Sequence, residues 1–91
     1  MPIGIQLTDF HYIYHKVGGS IVHFEISDEK EKAGDSTILY YGYVAENGAW
    51  IIMENDTDEG TYRYKIGTSL YAANWTARET HTYGLFNSMT I

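Results

Sequence analysis

Two glycine turns constrain what this chain can fold into. Gly18-Gly19 and Asn47-Gly48 each stand between short runs rich in aromatic and β-branched residues. Both dipeptides suit two-residue β-hairpins, whose central positions need positive φ. Residues 10–16 (FHYIYHK) and Ile21 to Ile26 (IVHFEI) flank the first turn, and Thr37 to Ala45 (TILYYGYVA) and Ala49 to Glu54 (AWIIME) flank the second. Counting outward from Gly18-Gly19 sets Val17 against Ser20, His15 against Val22, Ile13 against Phe24 and His11 against Ile26. That face is apolar and looks inward. Its reverse holds Lys16 with Ile21, Tyr14 with His23 and Tyr12 with Glu25, and reads as the wetter side.

Ser27 to Ser36 (SDEKEKAGDS) has no apolar anchor and reads as a solvated connector. Thr61 to Ile66 (TYRYKI) alternates with period two and makes a further strand after the polar loop Asn55 to Gly60. With Asn47-Gly48 as a two-residue turn, Val44 pairs with Ile51 and Gly42 with Met53. The second loop then sets Ile51 beside Tyr64 and Met53 beside Tyr62. This register gathers Tyr41, Tyr43, Trp50 and Ile52 on the opposite face, edged by Arg63 and Lys65. Apolar centre with charged rim is the make-up of a subunit contact, so these six are the candidate interface. Cover by the C-terminal helix within one chain is the competing expectation for that face.

After Gly67 the period changes. Leu70 to Glu79 (LYAANWTARE) reads as a helix capped by Thr68 or Ser69. Tyr71, Trp75 and Arg78 share one of its faces, with Trp75 and Arg78 as its structural anchors on the sheet. Residues 84–91 form a tail with no assigned element. The expected fold is mainly β: one domain over residues 1–91, a small sandwich or partly open barrel of about five to six antiparallel strands with one short C-terminal helix.

The 91 residues carry a formal charge of −6, from 12 acids against 6 Lys and Arg. That balance disfavours direct nucleic-acid binding, which draws its affinity from cations on phosphates. No apolar run approaches the roughly 20 residues a membrane-spanning helix needs. Met1 to Gly4 shows no secretory signal. With no Cys, disulfides, thiol catalysis and cysteine-ligated zinc are excluded.

His11 and His15 have a helical metal-ligand spacing, but on a strand they lie about 13 Å apart. No metal site is expected, nor any cofactor. The acids of Glu54 to Gly60 are in the wrong order for a calcium loop and read as a polar turn. The chain has no G-x-S-x-G elbow and no phosphate-cradling glycine loop, so no catalytic residues are assigned and no enzyme activity is expected. Asn55-Asp56-Thr57 and Asn74-Trp75-Thr76 read as chance glycosylation matches. The 9 Tyr and 2 Trp also suit an aromatic face that stacks on sugars, so a small carbohydrate-binding module stands as the alternative.

Tyr40-Tyr41-Gly42-Tyr43-Val44-Ala45, Ala49-Trp50-Ile51-Ile52, Tyr62-Arg63-Tyr64, Trp75-x-x-Arg78 and Tyr83 form an ordered pattern. It resembles a small β-rich module of structural proteins in tailed bacteriophages and phage-derived environmental sequences. The resemblance spans residues 36–83, and the residues before it match no pattern. Asn74-Trp75-Thr76-Ala77 departs from the usual version, in which Asp often follows the Trp. The resemblance implies a virion component: a head–tail connector, tail element or capsid decoration protein. Its partners would be copies of itself, as a homo-oligomer, and other virion proteins. Its location would be the particle, and the host cytoplasm during assembly.

Protein purified without a histidine tag should carry no stoichiometric zinc or nickel. Elemental analysis checks this, and about one metal per chain would refute either the strand placement of His11 and His15 or the reading of the histidines as structural residues.

Overall fold

The computed structural model describes residues 11–90. The expectations for Met1 to Gly4 and for Phe10 lie outside the described residues. Five strands form one antiparallel sheet that curls into a half-barrel: β1 (Tyr12–Val17), β2 (Ser20–Lys32), β3 (Asp35–Val44), β4 (Trp50–Asp56) and β5 (Thr61–Gly67), neighbours in space as in sequence. A short helix, α1 (Tyr71–Thr76), and two 3-10 turns, Arg78–Thr80 and Phe86–Ser88, follow.

The first hairpin has the register its turn dictates. Val17 faces Ser20, His15 faces Val22 and Ile13 faces Phe24, with Gly18 and Gly19 at φ 60 and 93. Positive φ at both central positions matches the turn's twist to that of the strands.

The Asn47-Gly48 turn differs. Ala45 N–H donates to the Ala49 carbonyl at 2.9 Å, Gly48 N–H donates to the Ala45 carbonyl at 3.1 Å, and Gly48 sits at φ 92. The loop is therefore Glu46-Asn47-Gly48, one residue longer than a two-residue turn, with the left-handed glycine at its end. Tyr43 consequently faces Ile51, and Val44 faces Trp50. A slip of one residue sends every side chain of a strand to the other face. Tyr41 and Tyr43 thus lie with Ile51 and Met53, across the sheet from Trp50 and Ile52, which corrects the single-face grouping expected from the sequence. Between β4 and β5 the slip is two residues, Ile51 facing Ile66 and Met53 facing Tyr64. Two is the strand's own period, so the faces survive.

The Ser27–Ser36 connector is also corrected: most of it is strand. β2 runs on to Lys32, the chain turns at Ala33-Gly34 with Gly34 at φ 78, and β3 starts at Asp35. Charged residues are poor strand formers alone, but Glu29, Lys30 and Glu31 face Tyr41, Tyr40 and Leu39, so pairing with an apolar strand holds them. A bulge at Ser27 separates the Ile26–Tyr43 pair from the Asp28–Gly42 pair. The extra residue rotates Asp28 onto the face of Gly42.

Each face has its own core. Phe24, Tyr41, Tyr43, Ile51 and Met53 fill one, together with Met89 from the C-terminal segment. Tyr40, Trp50 and Ile52 fill the other, covered by Tyr71, Trp75 and Tyr83. The C-terminal segment reaches both by passing around the β5 edge, where Gly84 and Tyr64 exchange backbone hydrogen bonds of 2.7 and 2.9 Å. Residues 84–90 therefore form a strap that ends with Met89 buried.

Two missing side chains let that segment dock. A methyl group at Gly42 would overlap Tyr71 Oη and meet Trp75 Cε3 at 2.9 Å, and one at Gly67 would overlap the Trp50 indole. Over Gly42, Tyr71 donates its hydroxyl to Asp28 Oδ2 at 2.7 Å, and over Gly67, Trp50 Nε1 donates to the Ser69 carbonyl at 2.7 Å. The pinned Ser69 explains why α1 is shorter than the expected Leu70–Glu79. Leu70 must reverse direction at φ 62, so neither Thr68 nor Ser69 caps the helix. At the other end Arg78 folds back, with Nη1 donating to the Trp75 carbonyl at 2.9 Å and its guanidinium 4.7 Å from the Trp75 ring centre. Trp75 is half-buried against the Tyr40–Trp50–Ile52 cluster.

Gly42→Ala should destabilise the protein by about 1–3 kcal/mol, because the added carbon meets a rigid ring already held by Asp28. Tyr71→Phe keeps the ring and should cost about 1.5–3 kcal/mol, the worth of a hydrogen bond to a charged group. Urea unfolding of the two variants checks both, and a Gly42→Ala midpoint equal to that of the wild type would show that the helix does not rest on Gly42.

Candidate contact surface

α1 is six residues long, about 9 Å at the helical rise. Anchored at Gly42 and Asp28, it covers β3 and β4, and among the described residues the same sheet face stays open over β1 and β2. The residues facing out there are Tyr12, Tyr14 and Lys16 from β1 and Ile21, His23 and Glu25 from β2. Tyr14 is 58% exposed and Ile21 64%.

The rings form a cluster. Tyr14 stacks on His23 across the hairpin with centroids 4.9 Å apart and planes 20° from parallel. Tyr12 meets both edge-on, at 5.6 Å from each. Offset-stacked and edge-on contacts are the favourable aromatic geometries, so the rings hold one another without cover. Lys16 lies at the turn end and Glu25 at the other. Beside the cluster a groove of about 600 Å³ runs between Ile21, His23 and Glu25 on one side and Val44 to Asn47 on the other. It exists because β2 overhangs: its pairing with β3 begins only at Glu25–Val44, and Ser20 to Phe24 pair with β1 alone.

The six residues singled out from the sequence lie elsewhere. Tyr41 and Tyr43 are buried in one core, and Trp50 and Ile52 in the other. Trp50 lies under the His81 ring, centroids 6.1 Å apart and planes 21° from parallel. Only Arg63 and, in part, Lys65 reach solvent. The structure does not bring the six together. The open cluster had a signal in the sequence, since three aromatic rings and Ile21 already fell on one face of the first hairpin. Its polar neighbours Lys16 and Glu25 made that face read as wet.

Among the described residues no group of three or more His, Asp or Glu side chains is placed to hold a metal ion. Asp56 organises the acidic turn, its Oδ1 accepting from the N–H groups of Asp58 and Glu59 at 3.1 and 3.0 Å. Of the two sequon asparagines, Asn55 is buried and Asn74 donates its amide to the Leu70 carbonyl at 2.9 Å. No helix is long and apolar enough to cross a membrane among the described residues.

Electrostatics mark which tyrosines are structural. Burial, then the nearby Glu54 charge, then the 3.1 Å hydrogen bond to Glu54 push the Tyr40 hydroxyl up to about 12. Burial is likewise the main cause that raises Tyr43, Tyr71 and Tyr83, reinforced at Tyr71 by its hydrogen bond to Asp28. Tyr83 donates to the Arg78 carbonyl at 2.7 Å and so ties the strap to the end of the helix region. Comparison of the chain with family models, with curated proteins and with solved structures gives no match.

A tyrosine held above its unfolded value of about 10 contributes stability that is complete below pH 10. That stability is lost as pH rises toward the folded value. Alkaline titration should therefore show β-sheet circular dichroism and the tyrosinate absorbance of these residues changing together above about pH 10. Full ionisation of every tyrosine with the sheet intact would contradict the burial of Tyr40, Tyr43 and Tyr83.

Proposed function

We propose that this chain is a structural component of a tailed-phage particle and works by protein–protein contact through the open face of its β1–β2 hairpin. The observation that carries the contact is the Tyr12–Tyr14–His23 ring cluster with Ile21, in which Tyr12, Tyr14 and Ile21 are all exposed. Such a patch, apolar at the centre with Lys16 and Glu25 at its ends, costs solubility unless another surface covers it. Tyr also gives large contact area for little conformational entropy. The pattern from Tyr40 to Tyr83 supports the assignment to a particle: its Gly42, Trp50, Trp75 and Tyr83 are residues on which the helix-covered core depends.

The carbohydrate reading loses Tyr41, Tyr43 and Trp50, all of them buried, with Trp50 stacked against His81. Tyr14 could take over as a sugar platform only on the ring face not occupied by His23.

Tyr14→Ser combined with Ile21→Ser should leave the melting temperature within a few degrees, as surface changes do. Mass spectrometry of purified particles should detect the wild-type chain and not the double variant. Particles lacking the wild-type chain, with retention on a polysaccharide gel that the double variant loses, would replace this reading with the sugar-binding one.

A further inference from the structure

Among the described residues, the hairpin that carries the open face also has an open edge. Ile26 N–H donates to the His11 carbonyl at 2.8 Å. Hydrogen bonding alternates along an antiparallel pair. His11, Ile13, His15 and Val17 therefore direct their backbone groups at β2, while Tyr12, Tyr14 and Lys16 direct theirs away from the sheet. Among the described residues no strand lies outside β1, and the sheet's other edge, β5, is met at Tyr64 by the Gly84 bridge. Exposed edges invite pairing, and proteins blunt them with charge, proline or cover. β1 carries one fixed charge, Lys16, and no proline.

We propose that this edge pairs with β1 of a second copy, antiparallel about a two-fold axis at Tyr14. The inference rests on the protein–protein reading above and names its partner. The argument is self-complementarity. Of the antiparallel registers open to Tyr12, Tyr14 and Lys16, only the one centred on Tyr14 engages all three, making about six backbone hydrogen bonds. It sets Tyr12 against Lys16 of the second copy, a cation against an aromatic ring, and Tyr14 against its own equivalent. On the reverse face it sets Ile13 against His15. No pair of like charges comes into register.

Charge distribution favours this edge over the rest of the molecule. Residues 11–24 contain no acid, whereas 11 of the chain's 12 acids lie from Glu25 onward. The β1 edge is thus the region where two copies of a chain of charge −6 meet with least repulsion. The Lys16 carbonyl already accepts from His15 Nδ1 at 3.0 Å, and its second lone pair remains for the partner strand. Pairing also sets the two Tyr12–Tyr14–His23 clusters side by side, giving one continuous apolar surface across the axis.

Lys16→Pro tests the edge while leaving the rings in place. The Lys16 N–H points away from β2, so proline there removes an outward donor without breaking a β1–β2 bond. Sedimentation of the full wild-type chain should give a dimer mass. Lys16→Pro should weaken association at least about tenfold with unchanged circular dichroism, and Lys16→Gln should remain dimeric, since the bonds are to backbone. A wild-type chain that is monomeric at all concentrations, or a Lys16→Pro variant that still dimerises, overturns the inference. Its incorporation into particles would be untouched by that result, so the two readings fail separately. Should Lys16→Pro not fold, amide exchange of wild type decides: protection of Tyr12, Tyr14 and Lys16 that falls on dilution supports the dimer. Protection independent of concentration assigns the edge to the chain's own residues 1–10, and no protection leaves it unpaired; either result rejects the dimer.

Discussion

The fold depends on two places where a strand has no side chain. Gly42 and Gly67 leave hollows on one face of the sheet, and Tyr71 and Trp50 fill them. Each ring then reaches past its glycine to a hydrogen-bond acceptor, Asp28 for Tyr71 and the Ser69 carbonyl for Trp50. Those two bonds fix where the C-terminal segment lands. Everything after Gly67 follows from them: the reversal at Leu70, the brevity of α1, the stacking of His81 on Trp50 and the passage of the strap around β5. Because the helix is held at Gly42 and is only two turns long, it cannot also roof the first hairpin. The open aromatic face is the other side of the same constraint.

The bulge at Ser27 belongs to this clasp. Without the extra residue Asp28 would lie on the face of Tyr41 rather than that of Gly42, and Tyr71 would lose its acceptor. β2 thereby changes allegiance along its length. Phe24 and Ile26 serve the core closed by Met89, and Asp28, two positions on, serves the opposite face.

Much of the architecture was legible in the residues. Local chemistry marked the first hairpin, where Gly18 and Gly19 can both take the positive φ of a two-residue turn, and counting outward from that turn gives the register found. It also marked the mainly β character, the third to fifth strands and a helical segment after Gly67. The second hairpin was misread because Asn-Gly serves two loop lengths, and a two-residue turn and a three-residue turn with a left-handed glycine differ by one position. That single position moved Tyr41 and Tyr43 away from Trp50 and Ile52 and dissolved the expected interface. The charged Ser27–Ser36 segment showed no strand signal because its stabilisation comes from its neighbour, not from itself. Helix length likewise depended on contacts distant in sequence, from Trp50 to Ser69 and from Gly42 to Tyr71.

The position of the clasp in the chain has a consequence for synthesis. Every strand pairs with its neighbour in sequence, so the sheet can zip up in order as residues 11–67 leave the ribosome. Neither face is closed at that stage. Tyr40, Trp50 and Ile52 wait for Tyr71, Trp75 and Tyr83, and the opposite core waits for Met89. The last quarter of the chain thus acts as a quality check on translation: a message cut short before it yields a paired sheet with two bare hydrophobic faces, the kind of species that chaperones and proteases recognise.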